Sequence, residues 1–302
     1  MAVTTEQLKD RIATAEDLQS IVTTMKVLSA VNLRQYERAV RSLRQYNRNI
    51  ELGLRVVLGG RAQTVTLAEE PGGGRFGGLV FGSEQGMAGR FNDQIVEHTL
   101  REVERLHPPY EDWAFISLGA RLTGRLQDVD LPVVGEMAMP ASIAGINRLV
   151  QEALLTVERW HSVMGIDRVF LFHNRPRTSA SSEPVTVQLM PVDLEWLRSL
   201  AGEPWRSRSI PMHTMDWQAL FSSLIREHLF AVLFRAFAES LAGENASRLA
   251  SMQAAENNIR DRLAQLRAEY RRQRQTAVTE ELLDIIAGFE ALTGGEAQGV
   301  RG

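Results

Sequence analysis

The chain has 302 residues, of which 44% are apolar and 24% are charged, and its formal net charge is −3. This near-neutral balance lacks the electrostatic footprint of a nucleic-acid-binding protein. The absence of cysteine excludes disulfides, thiolate zinc sites and cysteine nucleophiles. The N-terminus has no apolar core typical of a secretory signal, and the most apolar stretch, 229–243, is shorter than the ~20 residues of a membrane span. We therefore expect a globular protein with no direct transmembrane segment.

Residues 1–60 are predicted to form an N-terminal coiled-coil helix. Gly53 is the single glycine between Thr4 and Leu58, and no proline occurs there. Apolar and small residues recur at steps of three and four, which is typical of a coiled-coil seam. They are Ala15, Leu18, Val22, Met25, Ser29, Leu33, Tyr36, Val40, Leu43, Ile50, Leu54 and Val57. A helix of this length would be roughly 80 Å long, so it must pack on another helix or on other subunits.

Residues 75–205 are predicted to form a separate α/β domain. Short apolar runs, as in buried strands, alternate with amphipathic helical patterns. The strands are predicted within 77–82 and at 113–119, 131–137, 167–174 and 184–192, and the helices at 91–107 and 142–164 with Ser142 as N-cap. This alternation predicts a Rossmann-like, mainly parallel sheet. The last two strands are predicted to form an antiparallel edge hairpin, joined by an exposed loop with the sequence NRPRTSASSEP.

Residues 212–292 are predicted to form a C-terminal coiled-coil helix, followed by a flexible tail at 293–302. No proline follows Pro211, and only Gly243 and Gly288 interrupt the helical pattern between Asp216 and Leu292. Its seam consists of Leu220, Leu224, His228, Met252, Ala255, Ile259, Leu263, Leu266, Tyr270, Ala277, Ile285, Phe289 and Leu292. We expect the two terminal helices to pair in antiparallel order. Because the second is longer, its tip should outrun its partner and need a socket, since a lone helix is poorly stable in water.

The loop GSEQGMAGRFN (82–92) has the glycine content of a phosphate loop. It lacks the lysine of a P-loop, and its glycines at 82, 86 and 89 do not follow the dinucleotide pattern. Glu84 would also repel a phosphate. We therefore interpret the loop as a tight strand-to-helix turn in which the glycines allow close packing.

Other residue patterns do not indicate catalysis. The six histidines do not form a metal-binding pair, and the nucleophile elbow GxSxG is missing. We predict no catalytic residues, no metal and no cofactor. The basic run within 267–283 is either a solvated helix face or a surface for an acidic partner.

Three segments together resemble the gamma subunit of F-type ATP synthases, the central rotor stalk. TMKVLSAVNLRQ (24–35) is similar to the family's N-terminal motif, with its Met-Lys pair. GSEQGMAGRFNDQI (82–95) is similar to the family's Ser-Asp-x-Gly-Leu-x-Gly-Gly-x-Asn loop. ENASRLASMQAAENN (244–258) and EYRRQRQTAVTEELLDIIAGFEAL (269–292) resemble the C-terminal signature. The resemblance covers nearly the whole chain in order.

The resemblance implies a non-catalytic subunit of the complex. Its helix pair would turn inside a ring of three alpha and three beta subunits, whose beta subunits perform the chemistry. Its α/β domain would form a foot on the membrane c-ring beside the epsilon subunit. The subunit would transmit torque between ion translocation and ATP synthesis or hydrolysis. The implied location is peripheral, at the cytoplasmic face of the bacterial plasma membrane.

The resemblance also implies roles for individual residues. Those expected to contact the beta subunit are Met25, Lys26, Arg274, Gln275, Thr279 and Glu280. Arg248 is expected to couple to the N-terminal helix around Met25. The apolar tip expected in the alpha/beta sleeve contains Ile285, Phe289 and Leu292. The turn of the foot domain contains Gly82, Gly86, Gly89 and Arg90.

Several residues depart from the family pattern. Arg90 replaces the second glycine of the loop, Glu84 replaces its aspartate, and acidic residues intervene near the N-terminus. These departures fit a divergent or alternative bacterial branch, and Arg90 is hypothesised to contact the neighbouring helix or epsilon. Two other readings remain open: a small-molecule or nucleotide-binding α/β enzyme with a coiled-coil oligomerisation arm, and a free-standing coiled-coil adaptor.

Overall fold

The computed structural model describes residues 4–59, 74–106, 112–178, 181–203, 205, 209 and 212–298. The helices are α1 (Thr5–Leu58), α2 (Phe91–Leu106), α3 (Thr123–Gln127), α4 (Ile143–Met164), α5 (Leu194–Gly202) and α6 (Trp217–Gln298). The strands are β1 (Arg75–Phe81), β2 (Trp113–Leu118), β3 (Val133–Met137), β4 (Ile166–Thr178) and β5 (Ser181–Met190). Helix α6 thus continues six residues past the predicted end at 292, and 299–302 lie outside the described residues.

The strands form one sheet in the order β3-β2-β1-β4-β5. β1 is parallel to β2 and β4, β2 is parallel to β3, and β5 lies antiparallel to β4 at one edge. The predicted mainly parallel sheet with an edge hairpin is therefore confirmed. The predicted exposed loop after Asn174 is wrong in extent, because β4 runs to Thr178 and β5 begins at Ser181. The polar residues there belong to β4 and β5, which pair through their backbones, for instance with Arg175 opposite Glu183.

The described chain forms two compact units. Of the described residues, those within 27–251 form the sheet unit, and 4–26 with 252–298 form the helix-pair unit. The inner parts of both long helices therefore belong to the sheet unit. The domain limits predicted from the sequence were placed at the ends of the long helices and not within them. Those limits stay a prediction.

Within the sheet unit, α1 and α6 pack together in antiparallel order. The indole Nε1 of Trp217 donates to the carbonyl oxygen of Val57 at 2.8 Å. Leu54 and Leu58 of α1 share an apolar cluster with Phe221 and Leu224 of α6. Farther along, α6 is buried on all sides from 236 to 246. Its core cluster there includes residues of α1, α4 and the sheet.

The other face of the sheet carries a second core, covered by α2. Its aromatic residues include Trp113, Phe115, Phe170 and Phe172, and the rings of Trp113 and Phe115 stack with centroids 5.3 Å apart. Ser142 occupies the N-cap position of α4 as predicted, but its side chain makes no capping hydrogen bond.

Within the helix-pair unit, polar pairs fix the alignment of α1 and α6. Arg267 Nη2 lies 2.6 Å from Glu16 Oε1, and Lys26 Nζ lies 2.5 Å from Glu256 Oε2. As one residue number rises the other falls, so the predicted antiparallel pairing is confirmed. Both helices rise by the same distance per residue, so extending this alignment to the start of α1 places Thr5 opposite about residue 278. The seam prediction is wrong at Leu18 and at Ile285, which are 49% and 68% exposed.

Candidate partner-binding surface

The glycine loop 82–92 is a packed junction between the sheet and α6. A Cβ atom on Gly82 would lie 2.5 Å from Cβ of Leu122, and Gly89 has a φ of +58°. Asn92 accepts a hydrogen bond from the Ser83 backbone N–H and donates to Ser83 Oγ, both at 2.9 Å. Ser247 of α6 donates to the carbonyl oxygen of Ala88 at 2.6 Å. The loop therefore serves packing, as the strand-to-helix interpretation requires.

Glu84 is used inside this junction. One of its carboxylate oxygens accepts from the backbone N–H of Met139 at 3.0 Å and of Ala120 at 3.3 Å. The carboxylate thereby ties β1 to the segments that follow β2 and β3. The partners of Glu84 lie 36 and 55 residues away along the chain. Sequence inspection therefore did not predict this role and predicted only that Glu84 would repel a phosphate.

Arg248 of α6 reaches the same loop. Its Nη2 donates to the Gln85 carbonyl oxygen at 3.2 Å, and its Nε donates to the Gly86 carbonyl oxygen at 3.3 Å. Nη2 also contacts Glu244 at 2.5 Å, and both side chains are buried. Burial raises the pKa of the Glu244 carboxyl despite the opposing charge of Arg248. The predicted coupling of Arg248 to the N-terminal helix stays a prediction.

Two further residues of the predicted turn are more open. Arg90 Nη2 donates to Glu97 Oε1 of α2 at 3.0 Å, with both side chains exposed. This contact is the neighbouring-helix alternative proposed for Arg90. A Cβ atom on Gly86 would meet nothing within 4 Å, so nothing in the structure explains a glycine at that position.

Met25 and Lys26 lie on α1 in the helix-pair unit, and both are half-buried. The Lys26 ammonium pairs with Glu256, which also accepts from Thr23 Oγ1 at 3.4 Å. The hydrogen bond from Lys26 lowers the pKa of the Glu256 carboxyl, with its positive charge and that of Arg260 adding to the effect. Lys26 therefore has a partner within this chain.

The C-terminal half of the site is open to solvent. Arg274, Gln275, Thr279 and Glu280 are all exposed on α6. Thr279 Oγ1 donates to the Gln275 carbonyl oxygen at 2.8 Å, so this hydroxyl is turned back onto the helix.

An apolar surface follows on the same helix. Its exposed side chains are Val278, Leu282, Leu283, Ile285 and Ile286, and Ile285 is 68% exposed. The side chains of Phe289 and Leu292 lie outside the described residues. Exposed apolar side chains that cluster over two helical turns make this segment a candidate interaction surface.

A basic stripe lies on α1 in the sheet unit, and sequence inspection noted only its first two members, Arg34 and Arg38, as part of a possible partner-facing strip. Its members are exposed and make no ion pair within the described part of the chain. They are Arg34, Arg38, Arg41, Arg44 and Arg48. Their spacing of three, four and seven residues places them on one face of the helix. This spacing is visible in the sequence and could have predicted the stripe.

Two classes of site are absent from the described residues. No group of three or more histidine, aspartate or glutamate side chains could hold a metal ion. Nor does any described helix combine the length and apolar character needed to cross a membrane.

Comparison with known proteins identifies the family. A family model described as ATP synthase matches residues 4–292. The ATP synthase gamma chain of Anaeromyxobacter sp. (strain Fw109-5) is 28% identical over 290 residues, covering 94% of this chain and 98% of that protein. The chain belongs to the ATP synthase gamma-chain family.

Two solved structures agree with the gamma-chain fold. A chain from the Euglena gracilis mitochondrial ATP synthase, described as OSCP/F1/c-ring in rotational state 3, is 19% identical. It has a TM-score of 0.63 and covers 97% of this chain, with 95% of that chain matched. A chain from the rotor of the same synthase in rotational state 1 is 16% identical, with a TM-score of 0.62 and shares of 91% and 98%. The gamma-chain family, which three motifs predicted, is confirmed, and the nucleotide-binding enzyme is not favoured.

Proposed function

We propose that this gamma chain transmits torque between a membrane c-ring and a catalytic ring of three alpha and three beta subunits. The observation that carries the proposal is the family match, which runs from residue 4 to 292 and so includes both helices and the sheet. Rotation of the stalk couples ion translocation to ATP synthesis or hydrolysis. The chain itself is non-catalytic, and ATP chemistry belongs to the beta subunits.

The exposed face of α6 is the proposed contact with the beta subunits. Arg274, Gln275, Thr279 and Glu280 have solvent-accessible side chains on a helix segment near the described start of α1. A charged and amide-bearing face can bind an acidic surface without a large desolvation cost. Met25 and Lys26 belong to a separate proposed contact, because Lys26 pairs with Glu256, and the 18 residues from Glu256 to Arg274 span about 27 Å of helix.

The apolar end of α6 is the proposed bearing. Ile285 and its exposed neighbours present a surface that water solvates poorly. An apolar sleeve of the alpha and beta subunits, also holding Phe289 and Leu292, would cover it. The socket expected from the sequence would be supplied in this way.

The sheet unit is the proposed foot on the c-ring, beside epsilon. In this arrangement the subunit is peripheral, at the cytoplasmic face of the bacterial plasma membrane. Arg90 and Glu97 form an exposed charged pair on the foot surface, and epsilon is the partner proposed for it. If an Arg90→Gly variant binds epsilon as tightly as the wild type, Arg90 does not take part in the contact with epsilon.

Co-purification tests the assembly. Tagged chain, expressed with the other subunits, should bring down alpha and beta with ATPase activity. Recovery of the folded chain without them would contradict the rotor function. Micromolar binding of ATP or NAD to the purified chain, measured by calorimetry, would instead revive the enzyme reading.

A double variant tests the beta contact. Arg274→Ala with Gln275→Ala should reduce ATP synthesis several-fold while the subunit still folds and assembles, because both side chains are exposed. The matched control is Arg262→Ala with Gln265→Ala, an exposed pair on the same helix whose side chains are 3.2 Å apart. Equal losses in both double variants would show that the predicted contact has no special role.

A further inference from the structure

Four polar residues of α6 face a single loop of the sheet unit. They are Glu244, Ser247, Arg248 and Ser251, and this spacing places side chains on one face of a helix. All four lie against loop 85–89, which joins β1 to α2. They occupy the last two turns of α6 that belong to the sheet unit. We call loop 85–89 together with these four residues the clasp.

Directional hydrogen bonds hold the clasp together. Ser247 Oγ donates to the carbonyl oxygen of Ala88 at 2.6 Å. Arg248 donates to two further carbonyl oxygens, that of Gln85 at 3.2 Å and that of Gly86 at 3.3 Å. Three carbonyl oxygens of one short loop are therefore bonded to one helix.

Gln85 is held on both sides of its backbone. Its N–H donates to the Glu244 carboxylate, while its carbonyl oxygen accepts from Arg248. Glu244 and Arg248 also pair with each other at 2.5 Å, and both side chains are buried. Each of the two side chains therefore orients the other while it holds the loop.

The loop is strained in the conformation that makes these bonds. Met87 has a φ of +62°, in a region that residues other than glycine adopt rarely. Its side chain is 57% exposed, so burial of that side chain does not hold the backbone there. Gly89 also has a positive φ, and a Cβ atom on it would lie 2.8 Å from Ser251 Oγ. Local strain persists where surrounding contacts fix the backbone, and the hydrogen bonds of the clasp are such contacts.

The clasp lies where the apolar packing around α6 ends. The helix is buried on all sides from 236 to 246, whereas residues 247 and 249–251 are half-buried. Apolar contacts have no preferred direction, but a hydrogen bond weakens steeply when its geometry is bent. Rotation of α6 about its own axis at this end of the sheet unit is therefore opposed by the bonds of the clasp.

We propose that the clasp sets the torsional stiffness of α6 within the sheet unit, with Ser247 and Arg248 as positioning residues that hold the helix against twisting. The apolar core keeps the helix in its place, and the clasp narrows the range of angles that the helix samples there. The proposal rests on the torque-transmitting function, because torque on α6 is the force that the clasp would resist.

A clasp-free variant combines Glu244→Gln, Ser247→Ala and Arg248→Met. It removes the bonds from the three side chains and leaves no buried charge without a partner, which is the costly outcome of single replacements. We expect it to melt at a lower temperature than the wild type and still to assemble. Ser247→Ala alone removes one hydrogen bond from a half-buried position, so it provides a second test with a smaller expected effect.

The torsional stiffness can be measured on single assembled complexes. The alpha and beta subunits are fixed to a surface, and a bead is attached through biotin at Val163→Cys. The chain has no cysteine of its own, and Val163 is 75% exposed in the sheet unit. While a non-hydrolysable ATP analogue stalls rotation, the angular variance of the bead is inversely proportional to the stiffness. The variance should rise several-fold in the clasp-free variant and less in Ser247→Ala, and an unchanged variance in both would overturn the proposal.

The control for general destabilisation is Val103→Ala, which weakens the core on the opposite face of the sheet. It should lower the melting temperature and leave the angular variance unchanged. A variance as large as that of the clasp-free variant would mean that any loss of stability softens the subunit, which contradicts a specific role for the clasp.

A disulfide can replace the hydrogen bonds of the clasp. Gly89→Cys and Ser251→Cys are added to the clasp-free variant, because the 2.8 Å between a Cβ atom on Gly89 and Ser251 Oγ is a separation that a disulfide can bridge. Biotin is attached at Val163→Cys while this pair is oxidised, so one bead can be followed before and after reduction. The variance should be narrow with the disulfide and should widen on reduction. A variance equally wide in both states would contradict the proposal.

The wild-type complex tests the rotor function by itself. Rotation of its bead driven by ATP supports that function, and a bead that never rotates contradicts it. If the beads rotate and the variances of wild type and clasp-free variant are equal, the rotor function stands and the role of the clasp alone is overturned.

Discussion

Lys26 and Glu256 join the two long helices through a hydrogen bond of 2.5 Å, although they are separated by 230 positions in the sequence. The pair is mostly shielded, with side-chain exposures of 24% for Lys26 and 10% for Glu256. Its alignment with the pair between Glu16 and Arg267 sets which residues face each other in the helix-pair unit.

The first prediction concerns Glu256→Gln. Removing the charge should lower the melting temperature of the chain by a few degrees, because Lys26 would lose its ionic partner in a shielded position. The matched control is Arg267→Gln, whose pair with Glu16 is exposed on both sides and should contribute less than about 1 kcal/mol. Thermal unfolding of both variants checks this, and a larger loss in Arg267→Gln would contradict the ranking.

The same pair predicts a dependence on acid. Because hydrogen bonding to Lys26 lowers the folded-state pKa of Glu256, its stabilisation is present above the unfolded pKa. It is lost as the pH falls through the folded pKa. The difference in melting temperature between wild type and Glu256→Gln should shrink when measured in acid, and a constant difference would exclude this linkage.

The second prediction concerns two glycines of the same loop. Gly82→Ala should destabilise the chain by about 1–3 kcal/mol, because its new Cβ would meet Leu122 at 2.5 Å. Gly86→Ala has open space around it and should be neutral or stabilise by about 0.4–1 kcal/mol through the unfolded state. Urea denaturation of the two variants gives the comparison. Equal losses would mean that the packing at Gly82 does not decide the effect.

The third prediction concerns the pH dependence contributed by His228. Burial lowers the pKa of this imidazole to about 4, with help from the charge of Arg235. Its ring stacks on Trp196 of α5 with centroids 4.3 Å apart. Because the folded pKa lies below the unfolded value, the stabilisation is present above about pH 6.5 and is lost as the pH falls toward 4.

The measurement is the free energy of unfolding at pH 7.5 and pH 5. Allowing for partial solvent exposure, His228 should account for about 1–2 kcal/mol of the loss between them. His228→Phe keeps a ring against Trp196 and cannot be protonated, so its loss should be smaller by that amount. Identical losses in wild type and variant would remove His228 from the acid response.

Local patterns predicted the elements well for physical reasons. The long helices follow from stretches free of proline, with apolar positions at steps of three and four that reappear as buried Val22, Leu33 and Leu54. Strands bounded by glycine gave the sheet, because a strand buried on both faces must be uniformly apolar. The family motifs then predicted which residues of α6 face a partner, and the side chains of Arg274, Gln275, Thr279 and Glu280 are exposed.

What the sequence missed depends on contacts between distant residues. Leu18 fits the seam by spacing, yet it is exposed, since spacing does not determine where the partner helix lies. Glu84 had no visible role until Met139 and Ala120 were placed beside it. The same holds for Glu239, whose partner His173 lies 66 residues away.

The last prediction concerns Arg248 and Glu244, which are 7% and 5% exposed as side chains and lie 2.5 Å apart. Arg248→Ala should destabilise the chain by about 3–5 kcal/mol, because it leaves Glu244 buried without its cation and frees two loop carbonyl oxygens. Adding Glu244→Gln should recover part of this loss, since the neutral amide needs no counter-charge. Urea unfolding of the two single variants and the double variant gives the interaction energy of the pair. Strictly additive losses would show that the two residues act independently, with Arg248 serving only the carbonyl oxygens of Gln85 and Gly86.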